Sequence, residues 1–360
     1  QIGSPIPYRR FASMSDPEAL TAHLRMRTYI LKGRLQGGTD KPAPQRQVGA
    51  PIIAARLPNA LRRDIEGVPS DQVLLGNEHI RVLYARTAQV PTVIREIGRL
   101  RELTFRAVGE GTGRAVDLDR FDDWYLHLIA WDQQAQQIVG AYRMGPTDEI
   151  LARYGTSGLY TSTLFHYRPT LLEQISPALE LGRSFVHPDY QKSYAPLMML
   201  WKGIGAYAVA NPRYRMMFGP VSISSDYRSI SKQILMTFLR LNRYLPDLGR
   251  LLRPRHPPRL RPDGSWDLRQ TSTGLKDISE VDELIRDIEA DRKSIPVLLR
   301  QYLKLNGVLL GFNVDPDFGD VLDGLMLVDL CRVDRNVLDK YMGKEGARGF
   351  LAHHGDTNHG

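Results

Sequence analysis

The run Ala178-Leu-Glu-Leu-Gly-Arg-Ser-Phe-Val-His-Pro-Asp-Tyr-Gln-Lys-Ser-Tyr-Ala-Pro-Leu-Met-Met-Leu-Trp-Lys-Gly-Ile-Gly205 decides the fold class. Leu179, Leu181, Phe185 and Val186 predict a strand, His187 to Ala195 a turn, and Pro196 onward a buried helix opened by proline in its first turn. A strand that feeds a helix N-terminus presents unpaired N–H groups and a positive dipole end, so the turn is a candidate anion site. Glu180 and Arg183 stand three apart on the strand. That spacing puts them on opposite faces of an ideal strand, and a bulge or a strand end is needed to bring them to one ligand.

Outward from this run, the chain reads as a compact α/β unit. Ile80 begins a strand, Val90 to Arg106 is an amphipathic helix, and Tyr125 to Trp131 with Gln137 to Met144 form a hairpin. Asp148 to Tyr154 is helical, Arg215 to Ser224 a strand, and Ser229 to Leu241 a helix. Between Arg240 and Arg261 lie seven arginines, with Pro246, Pro254, Pro257 and Pro258 among them, which predicts a cationic loop without regular structure. Ser279 to Arg292 reads as an acidic helix with Ser279 and Asp282 as its capping box. Pro296 to Leu305 is a helix stopped at Asn306 and Gly307, and strands at Val308 to Val314 and Gly324 to Leu330 follow. The domain expectation is a basic Pro/Gly-rich extension over 1–78, a catalytic domain over 79–343 with an Arg/Pro-rich insertion near 240–270, and a flexible tail over 344–360. Within the extension only Pro17 to Leu35 reads as helix, suited either to an anionic surface or to packing on its own domain.

The 360 residues carry 48 Lys+Arg against 40 Asp+Glu, a formal charge of +8. Partners of negative charge follow: nucleic acid, an anionic membrane surface or an acidic protein. One cysteine, Cys331, excludes an internal disulfide framework and any multi-cysteine metal site. No apolar run reaches spanning length, and the N-terminus shows no secretory pattern, so a cytoplasmic protein, at most peripheral on the inner face of a membrane, is expected.

Four constellations carry chemistry: Arg101-x-x-x-Phe105 on one helix face, Asp117-x-Asp119-x-Phe121-Asp122 before a strand, Gly140-Ala-Tyr-Arg143, and Glu180-x-x-Arg183. Their types and order resemble the acyl-homoserine-lactone synthases and their GNAT relatives, with Gly182 standing where that pattern has serine. A closer resemblance covers Ile80 to Gly343. It is to the hemolysin-like GNAT N-acyltransferases, which include the ornithine-lipid and glycine-lipid enzymes. The residues that carry it are Phe105-Arg-Ala-Val-Gly-Glu-Gly, Leu179-Glu-Leu-Gly-Arg-Ser-Phe-Val, Leu200-Trp-Lys-Gly-Ile-Gly, Phe218-Gly-Pro-Val-Ser-Ile-Ser, Pro296-Val-Leu-Leu-Arg-Gln-Tyr-Leu-Lys-Leu and Asp315-Pro-Asp-Phe-Gly.

That resemblance implies a GNAT-like α/β fold, with a mixed, mostly antiparallel sheet flanked by helices, and transfer of a fatty acyl group from acyl carrier protein to the α-amine of an amino acid such as ornithine or glycine. No bound cofactor or metal is implied. The expected donor is the acyl-phosphopantetheine of the carrier, with acyl-CoA as an alternative, and nucleic acid drops out as a partner. His187, Gln191, Lys192, Ser193 and Tyr194 become its phosphopantetheine contacts. CoA-using relatives wrap the pyrophosphate with a glycine-rich turn, whereas Gln191-Lys-Ser-Tyr-Ala-Pro has no glycine, which hinders close backbone approach and suits a single phosphate.

For catalysis the expectation is Glu180 as base, with Arg143 and Arg183 holding the acceptor carboxylate or ordering Glu180. Arg101, Phe105, Asp119 and Asp122 bind substrate, or the acids brace Arg101. A bulge near Phe218 to Val221, signalled by Gly219 and Pro220, opens room for the acyl-pantetheine beside Ser222, with backbone N–H groups as the oxyanion site. Two alternatives remain: a lactone-type signal synthase, and a lysophospholipid O-acyltransferase resting on the His127-x-x-x-x-Asp132 spacing.

Overall fold

A computed structural model describes residues 49–259 and 277–355, with scattered positions between 3 and 28. Its centre is an eight-stranded sheet of order β1-β2-β3-β4-β6-β7-β10-β9 among the described residues. These strands are Val73–Gly76 (β1), Ile80–Arg86 (β2), Leu126–Asp132 (β3), Gln137–Pro146 (β4), Ala178–Val186 (β6), Met216–Ile223 (β7), Val308–Asp315 (β9) and Val321–Asp329 (β10). Every adjacent pair is antiparallel except β6 with β7. The sheet is thus mixed and mostly antiparallel, flanked by helices, as the sequence predicts.

Alternation along the strands sorts side chains to two faces. One face packs on helix α2 (Pro91–Ala107) through Ile94, Ile97, Leu100, Ala141 and Phe185. Further along the same face, Tyr125, Ile150, Leu172, Phe218 and Leu325 form a second cluster. The opposite face packs on the helix that follows β6, α5 (Ala195–Ala210), whose Trp201, Ile204 and Ala208 join Tyr142, Leu181 and Met326. The chain runs from strand through a short turn into α5 with proline in its first turn, as read from the sequence. None of the described helices is long and apolar enough to cross a membrane.

The position of the site follows from β6 and β7. Their parallel pairing covers only Ala178↔Met216, Leu179↔Met217 and Glu180↔Phe218, yet β6 continues to Val186 and β7 to Ile223. Beyond Phe218 the two strands separate, and Pro220, which has no N–H to give a ladder, lies where that pairing has ended. The expected bulge on β7 is absent, since β7 pairs with β10 in unbroken register from Met216 to Ile223. The irregularity lies instead between β4 and β6, where Ala141↔Phe185 and Arg143↔Gly182 leave one extra residue on β6. Arg183 occupies it with φ +50°, a left-handed conformation that costs a non-glycine residue about 1 kcal/mol or more and is held by the surrounding structure. This bulge turns Arg183 to the face that holds Glu180.

Gly219 sets how closely the strands meet before they part. A Cβ there would lie 2.1 Å from the Leu181 carbonyl oxygen, a backbone atom that cannot swing aside. Gly219→Ala should therefore cost about 1–3 kcal/mol as an overpacked core and widen the cleft at its root. A urea unfolding curve reads this directly, and an unchanged midpoint would show that β6 yields without strain.

Several boundaries differ from the sequence reading. The 1–78 extension already contributes to the domain: helix α1 (Pro58–Glu66) buries Leu61 and Ile65 against α2, and β1 is an edge strand of the sheet. The described positions of Pro17–Leu35 that fall before residue 29 are mostly helical, and Arg27 there is buried on Glu283 at 2.9 Å and Asp287 at 3.2 Å. That segment packs on its own chain; its remainder lies outside the described residues. The arginine-rich loop contains order despite its prolines: Leu252–Pro254 (β8) pairs with Phe165–Tyr167 (β5), while 260–276 lie outside the described residues. The tail after Gly343 is not flexible over its first ten residues, because Lys344–His353 is a helix with Phe350 and Leu351 buried in the core. Asp277, not Ser279, caps the acidic helix Ile278–Ile288, by accepting from the Ser279 N–H. Asp282 is thereby released to pair with Arg286 and Arg300.

Candidate active site

The three acids before β3 are ordered by their own backbone. Asp119 accepts from the Phe121 N–H at 2.9 Å and Asp122 accepts from the Asp119 N–H at 2.9 Å, a reciprocal cap on the 3₁₀ turn Arg120–Asp123. The cap aims the same carboxylates at arginines. Arg101 on α2 donates to Asp122 at 2.7 Å, and Arg143 on β4 donates to Asp119 at 2.6 Å and Asp122 at 3.3 Å. Burial alone would raise the Asp122 pKa, but the Arg101 and Arg143 guanidinium charges overcome it and hold the carboxyl well below the usual range. His127, pushed down to about 4 by burial and by the Arg101 charge, is neutral and donates Nε2–H to the Asp122 carbonyl at 3.0 Å. Asp132 instead binds Tyr190, so His127 and Asp132 do not form a dyad.

Arg101, Asp122 and Arg143 are thus a buried brace. None of the three lines the cavity that opens where β6 and β7 part, and neither does Asp119. The same holds for Glu180, the residue expected as base. Its carboxylate accepts from the Tyr125 hydroxyl, from the Thr161 N–H at 2.7 Å and from the Tyr160 N–H at 3.2 Å. Burial raises its pKa, and the hydrogen bonds from Thr161 and Tyr125 oppose the rise. Glu180 is 1% exposed. Its geometry is that of a clamp on the turn Tyr160–Thr163, and that clamp presents Tyr160 to the cavity.

The cavity holds about 220 Å³. Its lining comes from both faces of the sheet, so it passes through the gap between the two strands. On the α5 side the wall is apolar or aromatic: Tyr142, Leu181, Pro296, Val297 and Leu298. On the α2 side it carries all of the charge. Arg183 is the one cation among the described lining residues, facing Glu110, Asp315 and Asp323. Arg183 lies 4.5 Å above the Phe318 ring and 5.0 Å above that of Tyr160, with Asp117 at 3.6 Å and Asp119 at 3.8 Å. Phe105 also lines the cavity, edge-on to Phe318 at 5.2 Å.

Of the residues expected on β7, Ser222 reaches the cavity and donates to Asp323 at 2.8 Å, whereas Val221 is core and Gly219 serves the close strand approach. In the turn before α5, Ser193 accepts from the Ala195 N–H at 3.1 Å, Gln191 donates to the Val186 carbonyl, and His187 accepts from the Asp189 N–H. Lys192 is exposed. Tyr194 donates to Gln301 at 2.6 Å, which ties the turn to the helix Val297–Lys304 whose first turn lines the cavity.

Sequence reading missed the three cavity acids. Glu110 and Asp315 lie inside motifs already singled out, Phe105-Arg-Ala-Val-Gly-Glu-Gly and Asp315-Pro-Asp-Phe-Gly. Their glycines hold them: Gly109 and Gly319 have φ of +79° and +76°, and a Cβ on Gly319 would lie 2.3 Å from the Gly109 carbonyl. Only a glycine lets the Glu110 loop and the Phe318 turn meet so closely. Asp323 had one signal, an acid set among the apolar residues of the strand Val321–Asp329, whose other acid stands at its end.

Residues 100–202 match the family described as an acetyltransferase (GNAT) domain. The chain is 33% identical over 280 residues to a glycine N(alpha)-acyltransferase of Bacteroides thetaiotaomicron, covering 73% of this chain and 81% of that protein. It is 26% identical over 278 residues to an L-ornithine N(alpha)-acyltransferase of Rhodobacter capsulatus, covering 73% and 96%. Among solved structures, a CoA-dependent acyl-homoserine lactone synthase aligns over 78% of this chain and 97% of its own, with 14% identity and a TM-score of 0.34.

Proposed function

The chain belongs to the GNAT N-acyltransferases, alongside the glycine and ornithine enzymes, and from that premise we propose that it moves a long-chain acyl group from the phosphopantetheine arm of acyl carrier protein to the α-amine of an amino acid. It is an acyltransferase. The observation that carries the finer reading is the division of the cavity, apolar on one side of the sheet and charged on the other. An acyl thioester suits the first half and a zwitterionic amino acid the second.

In this scheme Arg183 holds the acceptor carboxylate with its planar fork. The thioester lies in the gap between β6 and β7. A nucleophile and carbonyl held in one enclosure gain the rate advantage of an intramolecular reaction. The donor's phosphate lies at the N-terminus of α5, near Lys192 and Ser193. The glycine-free turn favours a carrier-bound arm over CoA, and the exposed Arg240, Arg250, Arg253 and Arg259 offer charge to an acidic carrier or an anionic membrane. The product, one acyl chain on an amino acid, is amphiphilic.

The test is mass spectrometry of products after incubating the protein with palmitoyl-loaded carrier protein, or palmitoyl-CoA, and a mixture of amino acids. An N-palmitoyl amino acid from the carrier donor is the expected result. Product from CoA alone would overturn the donor assignment, and no product from either would overturn the reaction.

A further inference from the structure

Amide formation from an ammonium acceptor requires a proton acceptor inside the cavity, and Glu180 does not reach it. Among the described residues three carboxylates do: Glu110, Asp315 and Asp323. Asp323 has the most constrained place. It lies on a central strand between β7 and β9, 3% exposed, with Leu322, Gly324 and Leu325 around it in sequence. Burying an aspartate in such a strand costs folding free energy, and a functional role accounts for that cost. Its register partner is Ser222, whose hydroxyl donates to one carboxylate oxygen at 2.8 Å and fixes the side chain. Both residues lie beyond Phe218, on the stretch of sheet where β6 has moved away, and on the charged half of the cavity.

We propose that Asp323, positioned by Ser222, is the proton acceptor for the acceptor amine, and that Glu180 is a positioning residue. This rests on the N-acyltransferase reading. The bound ammonium gives one proton to the Asp323 carboxylate. The amine lone pair then forms the C–N bond to the thioester carbonyl and the C–S bond breaks. A second nitrogen proton leaves with the thiol, and Asp323 returns its proton to solvent, so the sum is ammonium plus thioester giving amide, thiol and one proton. Glu110, partly buried at the rim, is a path for that return.

The surroundings of Asp323 tune it for this work. Burial raises its pKa to about 7, with Asp315 and Glu110 adding to the rise and Ser222 and Arg183 opposing it. Asn313 faces it across β9, Tyr160 interacts with it electrostatically, and burial likewise pushes Glu110 up to about 7. A base is most effective with its pKa near working pH. Asp323 therefore becomes ionised, and able to take the ammonium proton, as pH rises through about 7.

The test uses the full chain with palmitoyl-carrier protein, palmitoyl-CoA, glycine and ornithine, with kcat measured from pH 5 to 9. The wild type should show a rising limb with its midpoint near 7. Asp323→Asn should lose about 10²–10⁴-fold in kcat together with that limb, and Asp323→Glu should restore part of both. Glu180→Gln should keep the limb at the same pH whatever its amplitude. Folding is checked by thermal unfolding at pH 8. A carboxyl whose folded pKa is raised stabilises only below that pKa and loses its contribution as pH rises through it, so Asp323→Asn should melt no lower than the wild type there. If Asp323→Asn keeps both its limb and its kcat, or if Glu180→Gln alone abolishes the limb, the assignment is wrong while the reaction stands. If the wild type acylates neither amino acid from either donor, the reaction itself fails.

Discussion

Asp122→Ala should cost about 3–5 kcal/mol of folding stability, the largest loss expected from any single substitution around the site. The carboxylate stands between two buried cations, Arg101 at 2.7 Å and Arg143 at 3.3 Å, and it also accepts the Asp119 N–H. Removal leaves two guanidinium groups in the interior with one acid, Asp119, for the pair, and deletes one arm of the cap that aims Asp119. Asp122→Asn keeps the shape and part of the cap but not the charge, so it should be nearly as damaging. The measurement is a denaturation midpoint at neutral pH, paired with Arg101→Leu/Asp122→Leu. Replacing both partners of a buried pair by apolar residues is commonly far milder than breaking it. If the single and double variants unfold alike, the brace is not electrostatic. Catalysis should fall with stability here, since Arg143 and the Tyr125–Glu180 clamp share this region, but none of these groups lines the cavity.

Arg183→Lys should instead spare the fold and lower kcat/KM for the amino acid acceptor about 10- to 100-fold, as expected for losing hydrogen bonds to a charged group worth about 1.5–3 kcal/mol. Lysine keeps a positive charge near Asp117 and Asp119, and its stem can cover the rings of Tyr160 and Phe318. It cannot present two parallel N–H groups to a carboxylate. The loss should therefore appear in KM for the amino acid and leave KM for the thioester donor in place. Acylation of an amine that lacks a carboxylate should be nearly unaffected. An equal loss for that amine would show that Arg183 serves the donor or the sheet, not the acceptor.

These expectations place the site's chemistry on residues that sequence reading ranked in a different order. Glu180 and Arg143 stood out because they sit in short motifs, and motifs mark what is fixed in three dimensions without saying whether it is fixed for chemistry or for support. A buried carboxylate that accepts from a tyrosine hydroxyl and two backbone amides reads in sequence the same as one exposed to substrate. Asp323 shows the converse. It lies 143 positions from Glu180 in the chain, and only the pairing of β10 with β7 brings it to the cleft. The tail helix and the ordered edge of the arginine-rich loop were missed for a related reason: Phe350, Leu351 and Leu252 are too few to show a period, and they become ordered by packing on elements distant in sequence.

The sequence by itself determined the elements and their order. The strand-turn-helix at 178–205, the hairpin at 126–146, the amphipathic helix at 91–107 and the final pair of strands all follow from local periodicity and from proline and glycine placement. It also determined the family, because the spaced motifs survive as linear text. Tertiary structure decided which side of the sheet each charged residue occupies, and hence which arginine faces the cavity. A single extra residue at Arg183 inverts the alternation of β6, and the parting of two parallel strands after three paired rungs makes the space. Both depend on register between distant segments, where a shift of one residue exchanges the two faces, and local propensity carries no information about that register.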